Sequence, residues 1–72
     1  MSEPQMHPVD SSNIDAVGYD PEQREIYIRF LSGRTYIYGD ADESTFEDLR
    51  SADSVGSYFN RVIKPDLPYR EL

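Results

Sequence analysis

The chain contains no cysteine and only one histidine, His7, among its 72 residues. A disulfide or a thiolate metal site is therefore excluded, and one histidine alone cannot complete a Ser-His-Asp or Cys-His catalytic grouping. The lack of cysteine fits a reducing compartment, no apolar run reaches membrane-spanning length, and no signal-peptide pattern opens the chain. We therefore expect a cytoplasmic, non-enzymatic protein that binds no membrane, no metal and no cofactor.

Basic side chains are also scarce, with 7 against 14 acidic ones and a net charge of −7. Proteins that bind nucleic acid usually carry a basic face, because phosphate neutralisation and counterion release supply most of their non-specific affinity. Five acidic residues fall in one short segment that we interpret as a solvated helix face. They are Asp40, Asp42, Glu43, Glu47 and Asp48. The charge disfavours a nucleic-acid partner and makes a protein partner the first hypothesis.

The length allows one small domain. We place that domain at residues 9–72, after a flexible tail over residues 1–8 that contains Pro4 and Pro8. A chain of this size buries about 60% of its extended surface on folding and has a stability margin on the order of 3–5 kcal/mol. Each large buried side chain therefore contributes substantially to the stability of the fold.

Hydrophobic periodicity predicts three strands followed by two short helices. The strands are predicted at residues 14–19, 24–31 and 34–39. Helical spacing predicts one helix over residues 42–52 and a second from its N-cap Ser54 to Lys64, ended by Pro65 and followed by an extended tail laid back on the domain. The order β-β-β-α-α predicts an α+β domain, in which both helices pack on one face of a three-stranded antiparallel sheet.

The hairpin between the second and third strands decides which way Tyr36 and Tyr38 point. A two-residue loop at 32–33 would place both tyrosines on a solvent face beside two arginines, where bases could stack on them. A three-residue loop at 31–33, with Gly33 in the left-handed conformation, would place them on the core face. We favour the three-residue loop, because a domain this small needs the larger buried cluster.

Three polar segments are candidates for a binding surface. They are Ser11, Ser12 and Asn13 before the first strand, Ser54 and Gly56 at the start of the second helix, and Asn60 and Lys64 later in that helix. Each segment also has an ordinary structural interpretation as a local turn, an N-cap or a solvated charge at a helix end. We predict that the three segments converge on one surface that binds a protein partner.

Two further hypotheses remain open. RNA or nucleotide binding would use basic and aromatic side chains, namely Arg29, Arg34, Tyr27, Arg61 and Arg70. A small anionic ligand would be held at a helix N-terminus by Ser54, Gly56 and Lys64. The oligomeric state is left open, since an exposed first or third strand could pair edge to edge with another copy.

Several short patterns occur together from Val9 onward. They are Val9-x-Ser11-Ser12-Asn13-Ile14, Val17-Gly18-Tyr19-Asp20, Ile26-x-Ile28-x-Phe30-x-x-Gly33, Tyr36-x-Tyr38, Ala52-x-Ser54-x-Gly56-x-Tyr58-Phe59-Asn60, Ile63-Lys64 and Tyr69-Arg70. In this combination the chain resembles the KTSC family, a short domain named from the C-terminus of some lysyl-tRNA synthetases and also found as a stand-alone protein. The resemblance implies no established activity. RNA binding has been suggested for the family from its attachment to a synthetase, which is an association rather than a mechanism.

The chain departs from the family pattern at two places. Val55 stands where the family commonly has a basic residue, and Ala41-Asp42 stands where it often has Val-Pro. Both departures lower positive charge or add negative charge. They count against RNA and leave a small interaction module as the interpretation of the sequence.

Overall fold

Residues 4–72, which the computed structural model describes, form one antiparallel sheet with helices packed on one face. The strands are β1 (Met6–Pro8), β2 (Ile14–Asp20), β3 (Glu25–Phe30), β4 (Thr35–Tyr38) and β5 (Tyr69–Glu71), paired in the order β1-β2-β3-β4-β5. Between β4 and β5 lie α1 (Glu43–Ser51), α2 (Val55–Tyr58), a π-helical turn (Phe59–Ile63) and α3 (Lys64–Asp66). The chain thus returns from its helices to add the last edge strand.

The α+β class and the antiparallel sheet are confirmed, whereas the prediction of three strands is wrong. Strand β1 lies within the stretch predicted as a flexible tail over residues 1–8, and its His7 pairs with Val17. Residues 1–3 of that stretch lie outside the described residues. Strand β5 lies within the predicted extended tail, and its Arg70 pairs with Ile37. Three residues are too few for alternation to distinguish a strand from a loop, and the pairing partners of both strands are distant in sequence.

The β3–β4 hairpin has the predicted three-residue loop. The Phe30 N–H donates to the Arg34 carbonyl at 2.8 Å, and the Gly33 N–H donates to the Phe30 carbonyl at 2.9 Å. Gly33 has a φ of 98°, the left-handed conformation that a glycine adopts without strain. This register places Tyr36 and Tyr38 on the same sheet face as the core residues of β3. The prediction for the tyrosines is confirmed.

The core fills the space between the sheet and the helices. Its buried members are Ile14, Val17, Ile26, Ile28, Tyr38, Ala41, Phe46, Leu49, Val55, Phe59 and Ile63. A bulge in β2 brings both Ile14 and Val17 into this core, because the pairing register shifts by one residue between Ile14 and Ala16. Burial of a large apolar side chain contributes about 1.5–3 kcal/mol, so the cluster accounts for the stability of a short chain.

Asp42 is the N-cap of α1. Its carboxylate accepts hydrogen bonds from the Thr45 N–H at 3.1 Å, the Thr45 hydroxyl at 2.6 Å and the Ser44 hydroxyl at 3.1 Å. Helix α1 then buries Phe46 and Leu49, which lie on one face at the spacing that the sequence predicts. The cap fixes where the helix begins.

The cap also makes the stability of the fold depend on pH in the acid range. Hydrogen bonds from the Thr45 hydroxyl and N–H, and then from Ser44, lower the pKa of Asp42 from its usual value of 3.8. A lowered folded-state pKa contributes stability that is present above the unfolded pKa and is lost as the pH falls through the folded pKa. We expect urea unfolding to show a steeper acid decline for the natural chain than for Asp42→Asn, which caps without titrating. An equal loss of stability in acid for the two proteins would contradict the assignment of Asp42 as the titrating cap.

The second helical segment continues past its predicted end. Its N-cap is Ser54, as predicted, but Pro65 lies inside the segment at the start of α3 rather than terminating it. The Lys64 N–H donates to the Phe59 carbonyl five residues earlier, so the backbone makes a wider π-helical turn just before the proline. We attribute the tolerance of Pro65 to this wider turn, because a proline in a regular α-helix clashes with the carbonyl four residues before it.

Candidate functional site

A cleft of about 580 Å³ opens between the segment before β2 and the start of α2. We call it the polar cleft. It is lined by Asp10, Ser11, Ser12, Asn13, Asp53, Ser54, Gly56, Ser57, Asn60 and Arg61. The structure therefore brings six of the seven residues predicted to form a binding surface into one cleft, and Lys64 is the residue outside it.

Ser11 shapes the wall of the polar cleft. Its hydroxyl oxygen accepts hydrogen bonds from the N–H groups of Asn13 and Ile14, both at 3.3 Å. The same hydroxyl donates to the Asn13 side-chain oxygen at 3.1 Å. The amide nitrogen of the Asn13 side chain has no hydrogen-bond partner among residues 4–72. Ser11 thus performs the local structural role, and Asn13 presents an unpaired donor.

Gly56 allows the helix to approach this wall closely. A Cβ added there would lie 3.1 Å from the Asn13 side-chain oxygen and 3.3 Å from the Ser11 hydroxyl. Ser54, two residues earlier, accepts a hydrogen bond from the Ser57 N–H at 3.2 Å and so acts as an ordinary N-cap. The width of the polar cleft therefore depends on the absence of a side chain at Gly56.

Replacing Gly56 with alanine tests this contact. The added methyl group improves helix propensity by up to about 1 kcal/mol, and crowding against Asn13 offsets part of that gain. We expect a small change in the free energy of unfolding together with a clear shift of the Asn13 side-chain amide signals. Urea unfolding and an amide correlation spectrum measure the two effects. Unmoved Asn13 signals would show that the contact does not set the cleft.

A second cleft, of about 420 Å³, adjoins the first. We call it the aromatic cleft, and it is lined by Asn13, Phe30, Tyr36, Tyr38, Phe59, Asn60, Lys64 and Tyr69. Asn13 and Asn60 line both clefts, and we call the two adjoining clefts together the groove. None of the described residues that line the aromatic cleft is acidic.

Aromatic rings in edge-to-face and tilted contact build the aromatic cleft. The Phe59 ring lies 5.6 Å from Phe30 and 5.3 Å from Tyr38, with interplanar angles of 72° and 83°. The Tyr69 ring lies 5.8 Å from Tyr36 and 5.6 Å from Tyr38. Such arrangements contribute about 0.5–1.5 kcal/mol per pair beyond burial, so these ring contacts stabilise the wall of the cleft.

Three phenol groups of the aromatic cleft are available to a ligand. Burial is the largest cause that raises the pKa of Tyr38, and the neighbouring Tyr69 and Tyr36 raise this pKa further. Its hydroxyl therefore stays protonated at neutral pH. The hydroxyls of these three tyrosines have no hydrogen-bond partner within the described part of the chain. Among the same residues, no side-chain oxygen or nitrogen is both buried and without a partner. These hydroxyls consequently retain contact with solvent.

The polar end of the aromatic cleft consists of Asn60 and Lys64. They share a helix face, and both are exposed. Neither the Asn60 amide nor the Lys64 ammonium has a side-chain partner in residues 4–72. The cleft therefore combines aromatic walls with unpaired hydrogen-bond donors and one positive charge.

Comparison with known proteins identifies the family. The sequence profile of the KTSC domain matches residues 10–69. The chain belongs to the KTSC domain family. The resemblance found in the sequence patterns is confirmed. A crystal structure of a KTSC domain protein from Yersinia pestis has a TM-score of 0.90 and 38% sequence identity to this KTSC domain, covering 94% of this chain and 96% of that one.

The relatives of this KTSC domain include small proteins of similar length. A protein of Tsukamurella paurometabola is 43% identical over 60 residues, which are 83% of this chain and 90% of that protein. An uncharacterised protein of Stutzerimonas stutzeri is 42% identical over 55 residues, which are 76% of this chain and 78% of that protein. A lysine–tRNA ligase of a Nostoc species is 33% identical over 63 residues, but these make up only 11% of the ligase. The relatives of similar length indicate no enzymatic family.

The residues predicted to hold a small anion lie in two different clefts of this KTSC domain. Ser54 and Gly56 line the polar cleft, whereas Lys64 lines the aromatic cleft. They are separated because Lys64 lies ten residues after Ser54 in one helical segment, which corresponds to about 15 Å along an α-helix. The helix start therefore lacks the lysine that the small-anion hypothesis requires.

Two of the arginines proposed for nucleic-acid contact are already paired. Arg29 donates from Nε to Asp15 at 2.9 Å, and Arg70 donates to both carboxylate oxygens of Glu25 at 2.7 Å and 3.3 Å. The hydrogen bonds to Glu25, with its negative charge, raise the pKa of Arg70. Their positive charges are thus largely neutralised by neighbouring side chains.

The remaining residues of the nucleic-acid hypothesis are dispersed. Tyr27 is only 9% exposed and offers little ring surface for stacking. Arg34 is exposed beside the hairpin loop, and Arg61 lines the polar cleft with Asp10 and Asp53. Tyr27, Arg29 and Arg70 share the sheet face opposite the core, but Arg61 lies in the polar cleft, so the five residues do not form one basic and aromatic face.

Residues 4–72 hold no group of three or more His, Cys, Asp or Glu side chains that could bind a metal ion. In the same range, no helix has the length and apolarity needed to cross a membrane.

Proposed function

We propose that this KTSC domain is a non-enzymatic module that binds an extended peptide segment of a partner protein in the groove. The observation that carries the proposal is the position of Asn13 and Asn60, which line both the polar cleft and the aromatic cleft. A ligand that occupies both clefts would therefore contact Asn13 and Asn60.

The chemistry of the groove suits a polypeptide. A peptide backbone presents N–H and C=O groups in turn, and an asparagine side chain has both a donor and an acceptor to match them. The aromatic cleft can take a side chain of the peptide, because aromatic walls supply most of the contact energy in small pockets. The serine hydroxyls of the polar cleft add further partners for the peptide backbone.

The charge distribution favours a peptide over RNA as the occupant. The net charge is −7, and Asp10 and Asp53 line the polar cleft, where a run of phosphates would meet them. Arg29 and Arg70 are already held by carboxylates. A polyanion would gain little counterion release at this surface, whereas a peptide does not depend on it.

Selection from a library of random peptides with free C-termini tests the proposal. We expect the immobilised domain to enrich peptides that bind with micromolar affinity and shift the amide signals of Asn13 and Asn60. Asn60→Ala should weaken the binding of these peptides by about twofold to tenfold, since each lost hydrogen bond costs about 0.5–1.5 kcal/mol. The helix should tolerate this change, because alanine is the better helix former.

Gln23→Ala is the matched control, because it removes a side-chain amide from a loop that does not line the groove. Its affinity for the selected peptides should equal that of the natural chain. Failure to enrich any peptide would contradict the proposal. Equal weakening by Asn60→Ala and Gln23→Ala, or binding of single-stranded RNA alone, would do so as well.

A further inference from the structure

The groove has two chemically different ends, and this difference indicates how a peptide would be oriented. We infer that the aromatic cleft takes the C-terminal residue of the partner segment, with a large apolar side chain between the rings and the free carboxylate at Lys64 and the tyrosine hydroxyls. This inference rests on the proposed function and adds the chemistry of the peptide end that is recognised.

The charge of the aromatic cleft is the first argument. Lys64 is the only lysine of the chain, is exposed, and has no ion pair in residues 4–72. No acidic side chain lines this cleft within the described part, although the chain carries a net charge of −7. A single ammonium group that forms no ion pair within the described residues is complementary to a single carboxylate.

The hydrogen-bonding groups are the second argument. The hydroxyls of Tyr36, Tyr38 and Tyr69 can each donate a hydrogen bond, and none has a side-chain or backbone partner among the described residues. Asn60 adds an amide donor beside them. A carboxylate has about four lone-pair positions and accepts only, so this set of donors can satisfy it. Hydrogen bonds to an ionised acceptor are about twice as strong as neutral ones.

The combination of an apolar wall and an anion site in one small cleft is the third argument. Phe30 and Phe59 lie in the same cleft as Lys64, and its volume of about 420 Å³ is that of a site for one small group. A C-terminal residue is the one position of a peptide at which an apolar side chain and a carboxylate share a single Cα. An internal aspartate or glutamate supplies the charge without the apolar group.

The direction of the chain follows from the junction of the two clefts. A peptide that ends at Lys64 would pass Asn13 and Asn60 and continue into the polar cleft. There, Asp10 and Asp53 outnumber the one basic residue, Arg61, and disfavour a second negative charge. We therefore expect recognised C-termini to end in a large apolar residue and to carry polar or basic residues before it.

Titration of the domain carrying isotope-labelled lysine tests the inference, because Lys64 then gives the only lysine side-chain signal. The probes are acetylated glycine-serine peptides that end in phenylalanine with a free carboxylate, in phenylalanine amide, in glycine with a free carboxylate, or with an internal glutamate. Uridine monophosphate is the comparison anion. We expect the first peptide to bind about tenfold or more tightly than each of the others.

The outcomes distinguish the inference from the proposed function. Binding of the acid and amide forms of the phenylalanine peptide within about twofold of each other would overturn the inference and leave peptide binding intact. Preference for the internal glutamate would also overturn it. A response to uridine monophosphate alone, with selection from the peptide library also negative, would overturn both.

Substitutions locate the effect in the aromatic cleft. Lys64→Gln should weaken the free-acid peptide by about tenfold and leave the amide form unchanged, since only the charged hydrogen bond is lost. The matched control is Arg61→Gln, which removes a positive charge from the polar cleft and should change the acid-to-amide ratio by less than about twofold. An equal loss of that ratio in both variants would contradict a role for Lys64.

A second pair of variants tests the hydroxyls without removing a charge. Tyr38→Phe keeps the buried ring and should reduce the acid-to-amide preference by about threefold to tenfold, because one donor to the carboxylate is lost. Tyr58→Phe removes a hydroxyl that lines neither cleft and should leave the preference unchanged. Melting temperatures report whether each variant is folded. An unchanged preference in folded Tyr38→Phe would remove Tyr38 from the carboxylate site.

Discussion

Phe59→Ala is expected to leave most of the domain unfolded at room temperature. Phe59 is 3% exposed, and its ring contacts both Phe30 and Tyr38 edge to face. Truncating such a residue costs about 3–5 kcal/mol, because the transfer energy is lost and a cavity remains. The total stability of a domain of this size is also about 3–5 kcal/mol. Circular dichroism and the dispersion of amide signals measure the folded fraction.

A conservative change and an exposed one serve as controls for this prediction. Phe59→Leu keeps an apolar side chain in the cavity, so we expect a folded protein with a lowered melting temperature. Leu31, in the hairpin loop, is 58% exposed, and Leu31→Ala should change the free energy of unfolding by less than about 0.5 kcal/mol. A cooperative, fully folded Phe59→Ala variant would contradict the view that this ring joins the sheet to the helices.

Gly18→Ala is expected to detach β1 from the sheet. A Cβ at Gly18 would lie 2.7 Å from the Met6 sulfur and 2.8 Å from the Gln5 carbonyl oxygen. The methionine side chain can rotate away, but the carbonyl belongs to the backbone, so the segment leading into β1 must move. Overpacking of this kind costs about 1–3 kcal/mol, which urea unfolding can measure.

His7 reports directly on the position of β1. It is the only histidine of the chain, and its ring lies 6.4 Å from the Phe46 ring. We expect its ring-proton signals to move towards free-histidine values in Gly18→Ala. Gly39→Ala is the matched control, since the added Cβ would meet its nearest neighbour, Pro68, at an ordinary 3.7 Å. Unchanged His7 signals and stability in Gly18→Ala would contradict the packing of β1 on β2.

The central hairpin and α1 could be predicted because their determinants are local. Gly33 permits the left-handed turn that sets the register, and the side chain of Asp42 caps the helix that follows it in sequence. The short strands β1 and β5 could not, because their pairing with β2 and β4 depends on tertiary contacts. Pro65 led to a wrong end for the second helix, because the π-helical turn before it leaves no simple signal in the sequence.

The polar residues of the candidate site could be predicted, including Lys64 of the aromatic cleft, but the aromatic wall of that cleft could not. The segment Ser11–Asn13 and the start of α2 attract notice as clusters of capping and turn residues, and the fold brings them together. The aromatic half forms only when β5 pairs with β4 and carries Tyr69 to the rings of Tyr36 and Tyr38. Sequence reasoning assigns the last two tyrosines to the core, which is correct, but it cannot show that their hydroxyls border a cleft.

The most direct test of peptide binding in the groove is an amide correlation spectrum of the domain titrated with a peptide from the free-C-terminus selection. We expect the shifts to concentrate at the groove, on Asn13, Asn60, Lys64 and Tyr69. Signals on the opposite sheet face, around the Arg70–Glu25 pair, should stay in place. Shifts centred on that pair with unmoved groove signals would show that the groove is not the binding site.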